Sequence, residues 1–256
     1  MPSSSRYRLS RLTLWLVGPP ASGKTEIAAA LGPILAARAP TLLVDLSANH
    51  GLTARHAPAS SPSELERLFG GADAFTHFLT ATGAAHHEQR EQLDWRFRDA
   101  LIDCGDNLDL LSLGALRPTL SPGAMRALAY GLPRLLAEYG ALVFDGFHPA
   151  VAPTVIGSTG QAIEPPAVPL IVMTPDAPPP SLTPYAGLAT PAVFLNRESP
   201  STPMNAALAL WLESAAAGEE ARLAARLPEI TDPRARRERL NRTLEEGLLR
   251  LGLLSR

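Results

Sequence analysis

The chain has 256 residues, 46% of them hydrophobic and 19% charged, enough for one large α/β domain or two small ones with a substantial core. Lys and Arg number 23 against 25 Asp and Glu, and the net charge of −2 argues against a basic nucleic-acid footprint spread over the whole surface. The single cysteine, Cys104, excludes an internal disulfide and a zinc site built from cysteine pairs.

No apolar run reaches the roughly 18 residues that cross a bilayer. The basic start followed by Leu12–Val17 mimics a secretory leader. It falls short of the usual apolar stretch of about 7–15 residues and lacks a cleavage-type ending, so a cytoplasmic protein is expected. Residues 12–17 (LTLWLV) read as a buried strand ending at Gly18. GPPASGKT follows, then an Ala/Leu-rich helix that Gly32-Pro33 is expected to bend or interrupt. TLLVD (41–45) is a second buried strand, so the unit strand–loop–helix–strand implies a parallel pair with a right-handed crossover.

Residues 53–62 read as loop, and Ser61-Pro62-Ser63-Glu64 can open a helix. Residues 86–104 read as helix, feeding a strand from about Leu108 to Leu113. SPGAMRALAYGLPRLLAEYG (121–140) is expected to be helical around Pro133, followed by the strand ALVFD (141–145). PLIVMTPD (169–176) and PAVFLNR (191–197) are further strands, joined by a proline-rich link too short for a full crossover helix. MNAALALWLESAAAGEEARLAARL (204–227) reads as helix, and a last helix runs from about Pro233 to Leu254. Strands apolar on both faces alternating with helices predict an α/β fold, a mainly parallel twisted sheet with helices on both faces. One domain is expected over 1–256, with 234–256 as a terminal amphipathic helix.

Of the 23 basic residues only one, Lys24, is lysine, and it sits in GPPASGKT. That segment fits G-x-x-x-x-G-K-[ST] between a strand and a helix, the context such a motif needs. The glycines let backbone N–H groups from Gly18 through Ser22 and Gly23 to Thr25 turn around phosphates, and the helix N-terminus adds positive dipole. Lys24 would reach the β- and γ-phosphates of ATP, and the Thr25 hydroxyl would bind Mg²⁺. Asp145 and Asp45 each end an apolar strand, so two carboxylates and a threonine could converge near the metal. Asn196 ends another strand, where its amide could pair with an adenine edge or form a turn.

Taken in order, GPPASGKT, TLLVDLSANHGLT, NLDLLSLGALRP, ALVFDGFHP, PLIVMTPD and AVFLNRES resemble the MinD/ParA-like branch of P-loop NTPases over about residues 10–200. Within it they look most similar to the cytoplasmic domain of bacterial tyrosine autokinases of polysaccharide export. The resemblance implies ATP and Mg²⁺ binding, a sheet of seven or eight strands, and nucleotide-dependent association with a second copy or another protein. It puts Asp45 and Asp145 near Mg²⁺ and Asn196 with Arg197 at the adenine. It also marks departures: Pro19 stands where relatives have a trans-acting lysine, and Ser47 where they have a second aspartate. The autokinases' terminal tyrosine cluster is lacking, and Cys104 stands alone where cluster-binding relatives pair cysteines.

His50 and His148 follow Asp45 and Asp145 and could orient a water where Ser47 cannot, or be plain polar loop residues. Residues 234–256 carry seven Arg and three Glu, a net of +4. Leu240, Leu244, Leu248 and Leu251 recur at helical spacing, so this helix is expected to dock on the domain, with a membrane surface as the alternative. The leading expectation is a Mg-ATP-dependent switch or assembly factor with slow or partner-stimulated hydrolysis, in which Lys24 and Asp45 are the catalytic candidates. The alternatives are a phosphotransferase using Asp45 as base, and a non-catalytic scaffold that keeps the fold.

Overall fold

A computed structural model describes residues 12–47, 51–56, 98–112, 138–146, 167–185, 188–198, 203–217, 221–230 and 232–254. Its strands are β1 (Leu12–Val17), β2 (Thr41–Asp45), β3 (Leu101–Asp103), β4 (Leu108–Ser112), β5 (Ala141–Asp145), β6 (Val168–Met173), β7 (Ala192–Glu198) and β8 (Arg222–Pro228). Four α-helices are described: α1 (Lys24–Ala36), α2 (Gly51–His56), α3 (Ala206–Ala217) and α4 (Pro233–Arg250). The strands form one eight-stranded sheet in the order β3-β4-β2-β5-β1-β6-β7-β8. Every pairing is parallel except β3 with β4. The α/β class with a mainly parallel sheet is therefore observed as expected.

Alternation along the strands splits the core in two. Trp15, Val17, Val44, Phe144, Ile171 and Leu195 pack on one face with Leu208 and Leu212 of α3. Leu14, Leu16, Leu43, Val143, Leu170 and Phe194 pack on the other with α1 and α4. The Trp15 and Phe144 rings meet edge-on, 6.2 Å between centroids, a favoured aromatic geometry.

Helix α1 runs unbroken through Pro33, which corrects the expected interruption. Proline at 33 removes the N–H that would bond the carbonyl four residues back. That residue is Ala29, and its backbone is hydrogen-bonded instead by the His56 ring from α2. Gly32 lets the helix approach the sheet, since a Cβ there would stand 3.1 Å from Leu43 Cδ1.

Three further expectations are corrected: residues 53–56, read as the start of a loop, belong to helix α2, and two segments read as helix form strands. Leu101–Asp103, read as the end of a helix, is an edge strand antiparallel to β4. Gly105, Asp106 and Asn107 all take positive φ in the turn between them, the conformation these residue types tolerate best. The segment 204–227, read as one helix, ends its helix at Ala217 and resumes as β8, paired with β7. Ala, Leu and Arg favour helix locally, but burial of Ala224, Ala225 and Leu227 against the sheet overrides that preference. The link between β6 and β7 holds a 3₁₀ turn, Thr183–Tyr185, and no α-helix among its described residues. Expected helices within 57–97 and 113–137, and His50, His77, His86, His87 and His148, lie outside the described residues.

Helix α4 docks on the domain, as expected. Leu240, Leu244 and Leu248 are buried, and Gly247 lies against β8, where a Cβ would stand 3.0 Å from the Ala224 carbonyl oxygen. Asp232 caps the helix by accepting hydrogen bonds from the backbone N–H groups of Arg234 and Ala235.

Candidate functional site

The carboxyl ends of β1, β2 and β5 lie side by side, with Asp45 level with Asp145 and Asp145 level with Leu16. In an open parallel sheet this is the edge where ligands bind. The loop 18–23 leaves β1 there and turns into α1. Gly18 has φ 144 and Gly23 φ 93, both forbidding to other residues. A Cβ on Gly18 would stand 2.2 Å from the Val172 carbonyl oxygen. Gly23 opens α1 without any side-chain cap, so the first N–H groups of the helix keep their capacity for an anion.

Lys24 bends back over its own loop, donating to the Gly18 carbonyl at 3.0 Å and the Pro19 carbonyl at 2.7 Å. Burial lowers its pKa, and the nearby Asp145 carboxylate counters the shift. Asp145 is 1% exposed, and neither of its oxygens has a hydrogen-bond partner among the described residues. Burial raises its carboxyl to about 6, and the Asp45 charge adds to the rise. The Thr25 hydroxyl, the Lys24 ammonium and the Arg55 guanidinium favour its ionised form. A desolvated carboxylate with lone pairs free of hydrogen bonds, beside a hydroxyl at a helix N-terminus, is a donor set suited to a hard cation such as Mg²⁺.

Asp45 contrasts with it. One oxygen accepts from the Ser47 N–H (3.0 Å) and hydroxyl (2.5 Å). The other accepts from the N–H groups of Leu52 and Thr53 and from the Thr53 hydroxyl, at 2.9, 3.1 and 3.3 Å. The Thr53 hydroxyl also bonds Ser112 at the end of β4. Both Asp45 oxygens are thus committed to pinning the chain from Ser47 to α2. That commitment suits an anchor and works against the expected service as a proton-abstracting base.

Asn196 is buried at the end of β7, and its amide nitrogen donates to the Ser22 carbonyl at 2.8 Å. It thereby holds the loop from behind, a contact the strand-end position alone did not suggest. Gly23 makes room for it: a Cβ there would stand 2.2 Å from Asn196 Nδ2. Arg197 is exposed with φ 61. Two residues that the sequence reading passed over complete the rear of the loop. Glu26, in the first turn of α1, receives a two-pronged bond from Arg236 of α4, Nε to Oε1 at 2.6 Å and Nη2 to Oε2 at 2.9 Å. Just past the other end of α1, Arg38 pairs with Glu245 of α4.

No protein-family model and no curated protein sequence matches the chain. Solved structures do. A plasmid partition protein of Borrelia burgdorferi is 16% identical, with 94% of this chain and 100% of that one covered and a TM-score of 0.57. The septum site-determining protein MinD of Pyrococcus horikoshii, complexed with Mg-ADP, is 17% identical over 94% and 96%, with a TM-score of 0.57. A Cyanothece McdA variant in complex with ATP is 16% identical over 96% and 98%, with a TM-score of 0.60. At these identities the likeness is one of fold, and it spans nearly the whole chain.

Proposed function

We propose that the chain is a Mg-ATP-binding switch or assembly factor of the MinD/ParA kind, with slow or partner-stimulated hydrolysis. The observation that carries this reading is Asp145, a buried carboxylate whose oxygens make no hydrogen bond of ordinary geometry among the described residues and whose charge is favoured by the nearby Thr25 hydroxyl and Lys24 ammonium. The likeness of fold to proteins solved with Mg-ADP and with ATP supports the same ligands here.

Lys24 would exchange the loop carbonyls for the β- and γ-phosphates, and the N–H groups of the loop would cradle their oxygens. Thr25 and Asp145 would hold Mg²⁺, which supplies charge neutralisation on the phosphates when bound. Asp45 acts through the segment it pins rather than on the reacting atoms. Arg197 is the adenine-side candidate, with Asn196 positioning the loop. The leucine face of α4 is buried on the domain, so association with an anionic membrane would have to use its exposed arginines. A protein partner or a second copy remains the expected recipient of the nucleotide signal.

Pro19 and Ser47 support a second reading, in which nucleotide is held without turnover. The Ser47 hydroxyl is already engaged with Asp45 and cannot serve unaided as a base. Phosphate release from Mg-ATP, measured for the wild type and Lys24→Ala, separates the two. A slow release abolished in the variant supports the ATPase. Binding without any release, alone or with partner extracts, supports the static holder.

A further inference from the structure

The rear of the phosphate loop carries an acidic group where an anion site should avoid one. Glu26 follows Thr25 directly, and its Oε2 lies 3.8 Å from the position a Cβ would take on Gly23. Left alone, a carboxylate there would oppose the phosphates that the loop is built to hold. It is not left alone. Arg236, 210 residues later in the chain, grips both its oxygens. The two side chains are only 22% and 21% exposed, so water and salt screen the pair less than they would at the surface.

We infer that Arg236 is a positioning residue of the nucleotide site: it masks the Glu26 charge, and so makes nucleotide affinity depend on the docking of α4. Two features tie the mask to the helix as a whole. Arg236 sits in the first turns of α4, which Asp232 caps, and the helix is held to the domain by Leu240, Leu244 and Leu248. Any partner that lifts α4 would unmask Glu26 and weaken nucleotide binding. By reciprocity, bound nucleotide would strengthen the docking of α4. The inference rests on the phosphate loop binding ATP, as proposed above.

The test is calorimetric titration with Mg-ATP of the wild type, Arg236→Gln, Glu26→Gln and the double variant, each checked for folding by circular dichroism. Arg236→Gln is expected to bind about ten-fold more weakly, and the deficit to shrink in about 0.5 M salt. Glu26→Gln is expected to bind somewhat more tightly than wild type, because Arg236 is then an unpaired cation beside the loop. The double variant is expected to return to within about two-fold of wild type, because the unmasked charge is gone. A mere brace behaves otherwise: the double variant stays as weak as Arg236→Gln, and that result overturns the inference. Equal binding by wild type and Arg236→Gln also overturns it while leaving the ATP-binding reading intact. Failure of the wild type to bind removes both.

Discussion

Under the proposed function Asp145 would set stability against ligand binding, and Asp145→Asn exposes that conflict. Its carboxyl is held at about 6 against an ordinary 3.8. At about 1.36 kcal/mol per pKa unit, the folded state carries a penalty of about 3 kcal/mol for keeping it ionised. Because the folded pKa is raised, the penalty is fully present above pH 6 and fades as the pH falls from about 6 towards 3.8. An asparagine removes the charge but introduces an amide N–H₂ with no acceptor assured, at a cost of about 1–2 kcal/mol. The variant should therefore be more stable than wild type by about 1–2 kcal/mol near pH 7.5, with the difference gone near pH 4.5. Urea unfolding followed by circular dichroism reads this directly. Mg²⁺ should raise the wild-type midpoint and leave the variant's unchanged, because a ligand stabilises only the state that binds it. A variant that is less stable than wild type near neutral pH would refute the account of Asp145 as a desolvated, unpartnered carboxylate.

Other consequences follow from particular contacts. Gly23→Ala combines φ 93 with a Cβ 2.2 Å from Asn196 Nδ2 and should cost about 2–4 kcal/mol in urea unfolding; Asn196→Ala added to it should recover part of that loss, and strictly additive losses would contradict the contact. Burial lowers the His56 pKa against the opposing effect of its bond to the Ala29 backbone, and Arg237 and Arg55 lower it further, so stability declines as the pH falls below the ordinary 6.5. His56→Gln should flatten that acid slope in a pH series of unfolding midpoints, and an unchanged slope would show that His56 does not set it. Leu244→Ala, at 0% exposure, should destabilise by about 2–4 kcal/mol, whereas a change under about 1 kcal/mol would mean that α4 is not seated on the sheet.

What was legible in the sequence was whatever depends on near neighbours. β1, β2, β5, β6 and β7 are buried on both faces, so they read as continuous apolar runs. The glycine-rich loop between β1 and α1 is equally local, because Gly18, Gly23, Lys24 and Thr25 need only the strand before them and the helix after. β3 was missed because a three-residue edge strand is half exposed and leaves no apolar run to read. The sharper clue was the turn Asp103-Cys104-Gly105-Asp106-Asn107, whose residue types signal a hairpin. β8 was missed because its helix-favouring residues become a strand only when α4 and β7 cover them.

The supports of the site were hidden for the same reason. Asn196 reaches Ser22 across 174 residues and Arg236 reaches Glu26 across 210. No spacing rule connects residues that far apart. His56 had a faint signal, since Pro33 within a helix guarantees one carbonyl in need of a donor. Asp45 was recognised as a strand-end carboxylate, but its commitment to Ser47, Leu52 and Thr53 could be seen only once α2 had been placed.

The central claim is that this loop holds Mg-ATP, and calorimetric titration of the wild type beside Lys24→Ala tests it most directly. The account predicts saturable, Mg²⁺-dependent binding by the wild type that is lost in Lys24→Ala while the variant stays folded. A folded wild type that takes up no heat at millimolar Mg-ATP, or a Lys24→Ala that binds as well as wild type, would contradict it.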